Sequence, residues 1–231
     1  MKIYLIRHAE PDYANHTITA AGHLEAQALA ARLQEAGVDR IYCSPVNRAV
    51  HTMRYTADRL GMEPVIEPWT RELNWQAPDD QGRPIAAWNI PGEAVRARKP
   101  YPGHETWPDH ESYRDYAALY ETIVSDSDAF LLRHGYEREE GRYRIQSPSR
   151  EAIAVFCHLG FGLTWLSHLL EIPFPLVWSS FWLPPSSVTT ILFEERSEQW
   201  AVPRCTGLGC VAHLHKTGLP VSFMGLMANN G

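Results

Sequence analysis

Two apolar segments, each ending in polar or charged residues and each followed by a helical stretch, constrain this chain more than any other feature. Lys2-Ile3-Tyr4-Leu5-Ile6 shows no polar alternation after Lys2, the pattern of a strand buried on both faces, and it runs directly into Arg7-His8. Thr19 then stands where a helix cap is needed, ahead of Leu24, Ala28, Ala31 and Leu33 at approximately helical spacing, with Gly37 as the stop. Val38 to Cys43 reads as a second buried strand. Ser44-Pro45 supplies an N-cap and a proline at the first helical position, followed by the face Ala49, Met53, Thr56, Ala57, Leu60 and the stop Gly61. Strand, helix, strand, helix predicts an α/β protein whose largely parallel sheet is covered on both sides.

The 231 residues together fit one domain, 1–231. A third short strand is expected at Pro64 to Ile66. From Trp69 to Pro108 the periodicity breaks into prolines, glycines and four tryptophans, Trp69, Trp75, Trp88 and Trp107, which reads as a lid. His110 to His134 returns to a helical period through Tyr113, Tyr116, Tyr120, Ile123, Phe130 and Leu131 and stops at Gly135. Ala152 to Phe156 is another buried strand, followed by Cys157-His158 and a helix from Leu163 to Glu171. Ser187 to Phe193 and Gln199 to Arg204 read as a hairpin on the sheet edge. The expected architecture is a three-layer α/β/α sandwich with a mostly parallel sheet and an irregular lid insertion at about 74–150.

Composition narrows the function. Hydrophobic residues at 45% and charged residues at 21% describe a folded globular chain. Lys and Arg total 21 against 27 Asp and Glu, a net charge of −6 that repels polyanions, so nucleic acid is not expected as a partner. An anionic ligand must instead be met by a few arginines focused in one cleft. No apolar run reaches the roughly 20 residues that cross a bilayer, and Met1 to Ile6 leads into Arg7 without a signal-peptide core, so no membrane and a cytoplasmic location are expected. The four cysteines are expected as thiols, and homo-oligomerisation is left open.

Ligands of open α/β sheets bind beyond the carboxyl ends of the strands. Arg7 and His8 close the first strand, Arg48 lies one turn into the helix after the second, and His158 follows a later strand. Two guanidiniums and two imidazoles converging from distant segments suit a phosphoryl group.

These segments resemble the histidine phosphatase superfamily, also called the phosphoglycerate mutase-like family. Leu5-Ile6-Arg7-His8-Ala9-Glu10 is similar to its opening Arg-His-Gly motif, Thr19-Ala20-Ala21-Gly22 to its first-helix start, Cys43-Ser44-Pro45-Val46-Asn47-Arg48-Ala49 with Thr52 to its second-arginine motif, and Phe156-Cys157-His158 to its second histidine. The resemblance implies that His8 is the nucleophile that forms a phosphohistidine. An imidazole with pKa near 6.5 is largely neutral at pH 7 and offers a lone pair without an activating base. Arg7, Arg48 and a protonated His158 would bind the phosphoryl oxygens, with Asn15 as a further phosphate contact. Glu72, in Arg71-Glu72-Leu73, is the expected proton donor, with Glu93, Glu105 and His104 as substitutes.

The departures are Ala9 and Leu159 at positions where the family usually has glycine, and Asn74-Trp75-Gln76 after Glu72. A second triplet, Arg133-His134-Gly135, matches the motif literally but sits at a helix end, where basic residues and a glycine cap explain it. The lid tryptophans could form an apolar wall over the site, whereas Arg96, Arg98 and Lys99 argue for a second anionic group on the substrate. Cys205, Cys210, His213 and His215 do not match a zinc spacing. The expected activity is hydrolysis of small phosphomonoesters with no cofactor and no metal. The alternatives are phosphoglycerate mutase-type transfer and a non-catalytic phospho-ligand binding module.

Overall fold

The first strand forms where the apolar run places it: β1 (Lys2–Arg7) is buried from Ile3 onward. The computed structural model describes residues 1–79, 81–97, 99–108 and 113–227. Two short strands, β2 (Pro11–Asp12) and β3 (Thr17–Ile18), pair with each other ahead of α1 (Ala20–Ala36). Thr19 caps α1 by accepting from the Gly22 amide at 3.0 Å, and Gly37 ends it with φ +75°. Then follow β4 (Arg40–Cys43), α2 (Asn47–Leu60), closed by Gly61 in the left-handed region, and β5 (Val65–Ile66).

The segment expected as a structureless lid contains a hairpin, β6 (Gln76–Pro78) with β7 (Pro84–Ala86), and the short helix α3 (Gly92–Ala97). Elements of three to six residues are too short to show a period. α4 (Ala117–Arg133) is followed by the unanticipated hairpin β8 (Tyr136–Glu139) and β9 (Arg142–Ile145). The expected helix start at His110 lies outside the described residues. β10 (Ala152–Cys157), α5 (Leu159–Leu169), α6 (Phe174–Ser180), β11 (Val188–Glu195), β12 (Trp200–Cys210) and α7 (Ala212–Thr217) complete the described chain.

Eight strands form the central sheet in the order β5-β4-β10-β1-β11-β12-β9-β8. β5, β4, β10 and β1 are parallel neighbours; β11 and β9 run against the rest, so six of the eight strands share one direction. The β11–β12 hairpin is not on the edge as expected. β11 pairs with β1 in the interior, and β8 forms the border, because β9 adds to β12.

Alternation along β1 assigns the two cores. Tyr4 and Ile6 pack with Leu29 and Leu33 of α1 and Ala49 and Met53 of α2. Ile3 and Leu5 pack on the other face with Phe130, Phe161 and Trp165. Burying each such side chain contributes roughly 1.5–3 kcal/mol, so the sheet position is fixed from both sides. Trp75 and Trp107 belong to the second core, stacked among Tyr116, Tyr120, Phe174 and Trp178. Trp75 and Trp107 thus fill an aromatic core in place of a wall over the site, because these rings gain more by mutual burial than by facing water.

Candidate active site

Strand register decides which residues meet. Arg7 pairs with Cys157 across β1 and β10, and Phe156 pairs with Cys43 across β10 and β4. The next residues, His8, His158 and Ser44, therefore emerge together at the carboxyl edge of three adjacent parallel strands. The rings of His8 and His158 lie 5.3 Å apart between centroids, tilted by 56°. Both are buried, at 1% and 0% exposure.

Nδ1 of His8 is 2.7 Å from the carbonyl oxygen of Ala9. A carbonyl only accepts, so Nδ1 carries the hydrogen and the neutral ring presents its lone pair at Nε2. Burial, with Arg7 and Arg48 nearby, holds His8 well below the ordinary histidine range, which keeps that lone pair free. The Ala9 amide donates to Thr52 Oγ1 at 2.9 Å, tying the loop after β1 to α2. Ala9 is absent from the residues in the left-handed region, so alanine in place of glycine brings no backbone strain.

Nε2 of His158 is 2.8 Å from Ser44 Oγ, which also accepts from the Val46 amide at 3.3 Å. A hydroxyl both donates and accepts, so this bond forms whichever nitrogen of a neutral His158 carries the proton. Nδ1 of His158 is buried without a partner among the described residues. Burial, then His8, Arg48 and Arg7, push His158 well below the usual histidine range. In the unliganded site His158 is held neutral. Ser44 departs from its expected capping role. It is not the N-cap of α2, which is Val46 with no side-chain bond, because its hydroxyl is engaged by His158 and by the turn two residues on.

The Arg7 guanidinium is 2% exposed and donates from Nη1 to the Leu183 carbonyl at 2.6 Å and from Nη2 to the Met224 carbonyl at 2.8 Å. Its Nε and the Nε of Arg48 are buried without partners among the described residues. Arg48, in the first turn of α2, stacks on Tyr13 with its guanidinium carbon 5.7 Å from the ring centre. Beyond Arg48 opens a cavity of about 230 Å³ lined by Asp12, Tyr13, His16, Asn47 and Arg71 among others. No sequence motif marks this lining as a whole; its most legible member is Arg71, next to Glu72. Asn15 lies on the exposed turn between β2 and β3, with Nδ2 donating to Asp12 at 2.7 Å, so in the structure its amide serves the turn.

Glu72 is placed against the start of α5. Its carboxylate accepts from the amides of Phe161 (2.9 Å), Leu73 (3.1 Å) and Gly160 (3.3 Å). Those bonds and Arg48 favour the charged form, but burial outweighs them and raises its pKa. Gly160 has no room for a side chain: a Cβ would sit 2.5 Å from the Trp88 ring. Of the substitutes for Glu72, His104 has its Nε2 2.7 Å from the Glu171 carbonyl, just past the far end of α5. Arg96 donates to Ser180 at 2.8 Å, Lys99 lies over Tyr101, and Arg98 is outside the described residues. His134 faces Glu151, the residue before β10, at the amino edge of the sheet, and Arg133 pairs with Glu67. His213 bonds Ser186 and Arg32.

The family model for the histidine phosphatase superfamily (branch 1) matches residues 3–206. The chain belongs to that superfamily. Curated relatives include the putative phosphoserine phosphatase 2 of Hydrogenobacter thermophilus, 31% identical over 83 residues (32% of this chain, 41% of the relative), and the probable phosphoglycerate mutase GpmB of Enterobacter sp., 29% identical over 83 residues (32% and 39%). The matched segment thus spans about two fifths of those relatives' length. Among solved structures, a phosphoserine phosphatase mutant from Entamoeba histolytica in complex with phosphoserine superposes with TM-score 0.61 at 18% identity, covering 92% of this chain and 98% of that one. A mycobacterial glucosyl-3-phosphoglycerate phosphatase with inorganic phosphate gives 0.60 at 15% identity, covering 92% and 98%. At these identities the superpositions establish the histidine phosphatase fold. In this superfamily member no helix among the described residues is long and apolar enough to cross a membrane.

Proposed function

We propose that this superfamily member hydrolyses small phosphomonoesters through a phosphohistidine on His8. The observation that carries the reading is the tautomer of His8: Nδ1 is committed to the Ala9 carbonyl, so Nε2 is the unprotonated nitrogen, in a site where Nε of Arg7, Nε of Arg48 and Nδ1 of His158 have no partner among the described residues. The phosphatase and mutase names of its relatives support it.

A phosphomonoester carries close to two negative charges. Arg7 retains its Nε hydrogen and one further hydrogen on each Nη after its two carbonyl bonds, and Arg48 adds a second guanidinium. With the Nδ1–H of His158 these donors stabilise the equatorial oxygens as Nε2 of His8 attacks phosphorus in line. The dianion raises the pKa of both histidines, so His158 gains charge only once substrate is present. As the P–N bond forms and the ester P–O bond breaks, protonated Glu72 gives its proton to the departing oxygen. The resulting carboxylate takes a proton from water, which attacks the phosphohistidine and releases inorganic phosphate, restoring His8 and protonated Glu72. The cavity of about 230 Å³, lined by Asp12, His16 and Arg71, accommodates a small polar leaving group. Asn15 reaches phosphate only if its Asp12 bond opens. The charge balance requires no metal ion, and a cytoplasmic location is consistent with free thiols.

Phosphate release from an aryl phosphate in the presence of chelator tests the reading. His8→Ala should abolish it, and full activity in that variant would overturn the assignment. A second reading, phosphoglycerate mutase-type transfer, is favoured by the mutase relatives. Isomerisation of 3-phosphoglycerate primed by its bisphosphate, without net phosphate release, distinguishes it. The bonds from Arg7 to Leu183 and Met224 favour a third, a non-catalytic phospho-ligand module, which predicts vanadate binding with no turnover.

A further inference from the structure

Glu25, on α1, is 2% exposed and has no part in the chemistry above. Its Oε2 accepts from the Glu10 amide at 2.9 Å, directly after the His8-Ala9 step, and its carboxylate also bonds the Ser186 side chain. Ser186 adopts φ +56°, unusual for a residue with a side chain, and its own amide donates to the His8 carbonyl at 3.0 Å. Its Oγ is 3.2 Å from Nε2 of His213, whose Nδ1 is 3.3 Å from Nη1 of Arg32.

The direction of this chain follows from chemistry. A guanidinium only donates, so His213 accepts at Nδ1 and carries its hydrogen on Nε2. That hydrogen goes to Ser186 Oγ, and the Ser186 hydroxyl hydrogen is left for Glu25. Every donor points toward Glu25, and the Glu10 amide points there as well. An ionised carboxylate satisfies all of them. A protonated one loses the charge that strengthens these bonds and brings a hydrogen of its own, whose neighbouring acceptor is Ser186 Oγ, so the clamp weakens.

We propose that Glu25 is a positioning residue: as a carboxylate it clamps Glu10 and Ser186, and through Ser186 the main chain of His8, so that its protonation loosens the nucleophile. This inference rests on the reading of His8 as the nucleophile. The groups that face Glu25 are Glu10 after β1, Arg7 at the end of β1, Ser186 before β11, and behind Ser186 the His213–Arg32 pair from α7 and α1. Burial and the Glu10 charge push Glu25 up to about 7 against the bonds and the Arg7 charge, which puts the clamp's opening in the neutral range. His213, lowered to about 4 by burial and Arg32, stays neutral there and preserves the donor direction.

The experiment compares wild type and Glu25→Gln in phosphate release from p-nitrophenyl phosphate across pH. The amide variant keeps shape and the Glu10 contact but cannot carry charge. At about pH 8.5 its kcat should fall about tenfold below wild type, and the two should converge to within about twofold near pH 5.5, where wild type is protonated as well. A ratio independent of pH, or no deficit at any pH, overturns the proposal. Should the variant fail to fold, the backbone amides of Glu10 and Ser186 in full-length wild type decide: their NMR shifts should titrate with a midpoint near 7, and flat shifts overturn it. Should wild type release no phosphate at all, the functional reading falls, and vanadate affinity takes over: convergence of wild type and Glu25→Gln at low pH supports the clamp, and a constant ratio rejects it.

Discussion

The hydroxyl of Ser44 lies 2.8 Å from Nε2 of His158, joining the residue after β4 to the residue after β10 at the edge where the two strands run in parallel. This bond occupies Nε2 and leaves Nδ1 as the nitrogen of His158 available to a phosphoryl oxygen. Ser44→Ala removes the bond and leaves Nε2 buried without a partner. The expected result is a loss of about tenfold in kcat with a smaller change in KM, and about 1–3 kcal/mol of stability, read from steady-state kinetics and urea unfolding.

Glu72 tests the assignment of the proton donor through the leaving group. An aryl oxygen leaves with little help, whereas an alkyl oxygen needs its proton. Glu72→Gln should therefore cost about 10²–10⁴ in kcat with an alkyl phosphate and distinctly less with p-nitrophenyl phosphate. Equal losses on both substrates would point to a role for Glu72 in holding the start of α5 rather than in proton transfer.

Gly160 is required by Trp88. Since a Cβ would meet that ring at 2.5 Å, Gly160→Ala should destabilise the protein by about 1–3 kcal/mol and disturb the amide that bonds Glu72. Pairing it with Trp88→Leu, which opens space, should recover part of the loss. A thermal unfolding double-mutant cycle measures the coupling, and strictly additive effects would show that the two positions do not contact each other.

The pH dependence of stability has two opposed contributions. Glu25, raised from the ordinary glutamate value to about 7, favours the folded state fully below about pH 4.5 and loses that contribution, on the order of 3 kcal/mol, as pH rises to 7. His213, lowered to about 4, acts in the other direction, as do His8 and His158. Their contribution is fully present above about pH 6.5 and is lost as pH falls, because the unfolded chain binds protons that the buried rings refuse. Urea midpoints should therefore decline on acidification from 6.5. Glu25→Gln should be relatively more stable against wild type above pH 7 than at pH 4.5; an unchanged difference would place the Glu25 pKa outside that window.

Local pattern in the chain was enough for the parallel half of the sheet and for the two arginines and two histidines at its edge. Uninterrupted apolar runs such as Ile3 to Ile6 have no stable place except between two helical layers, and the residue after each run necessarily emerges at the strand end. Thr19 and Gly37 fixed α1 by local backbone chemistry alone. Strand register and desolvation set the rest. No local pattern could say that β11 would pair inside the sheet with β1, that Ser44 would serve His158 instead of capping α2, that Trp75 and Trp107 would fill a core, or that Glu25 would meet Ser186 beneath the nucleophile. Those relationships join residues from distant segments, and their electrostatic consequences, a neutral His158 and a Glu25 that titrates near neutrality, arise from burial that exists only once the layers have closed.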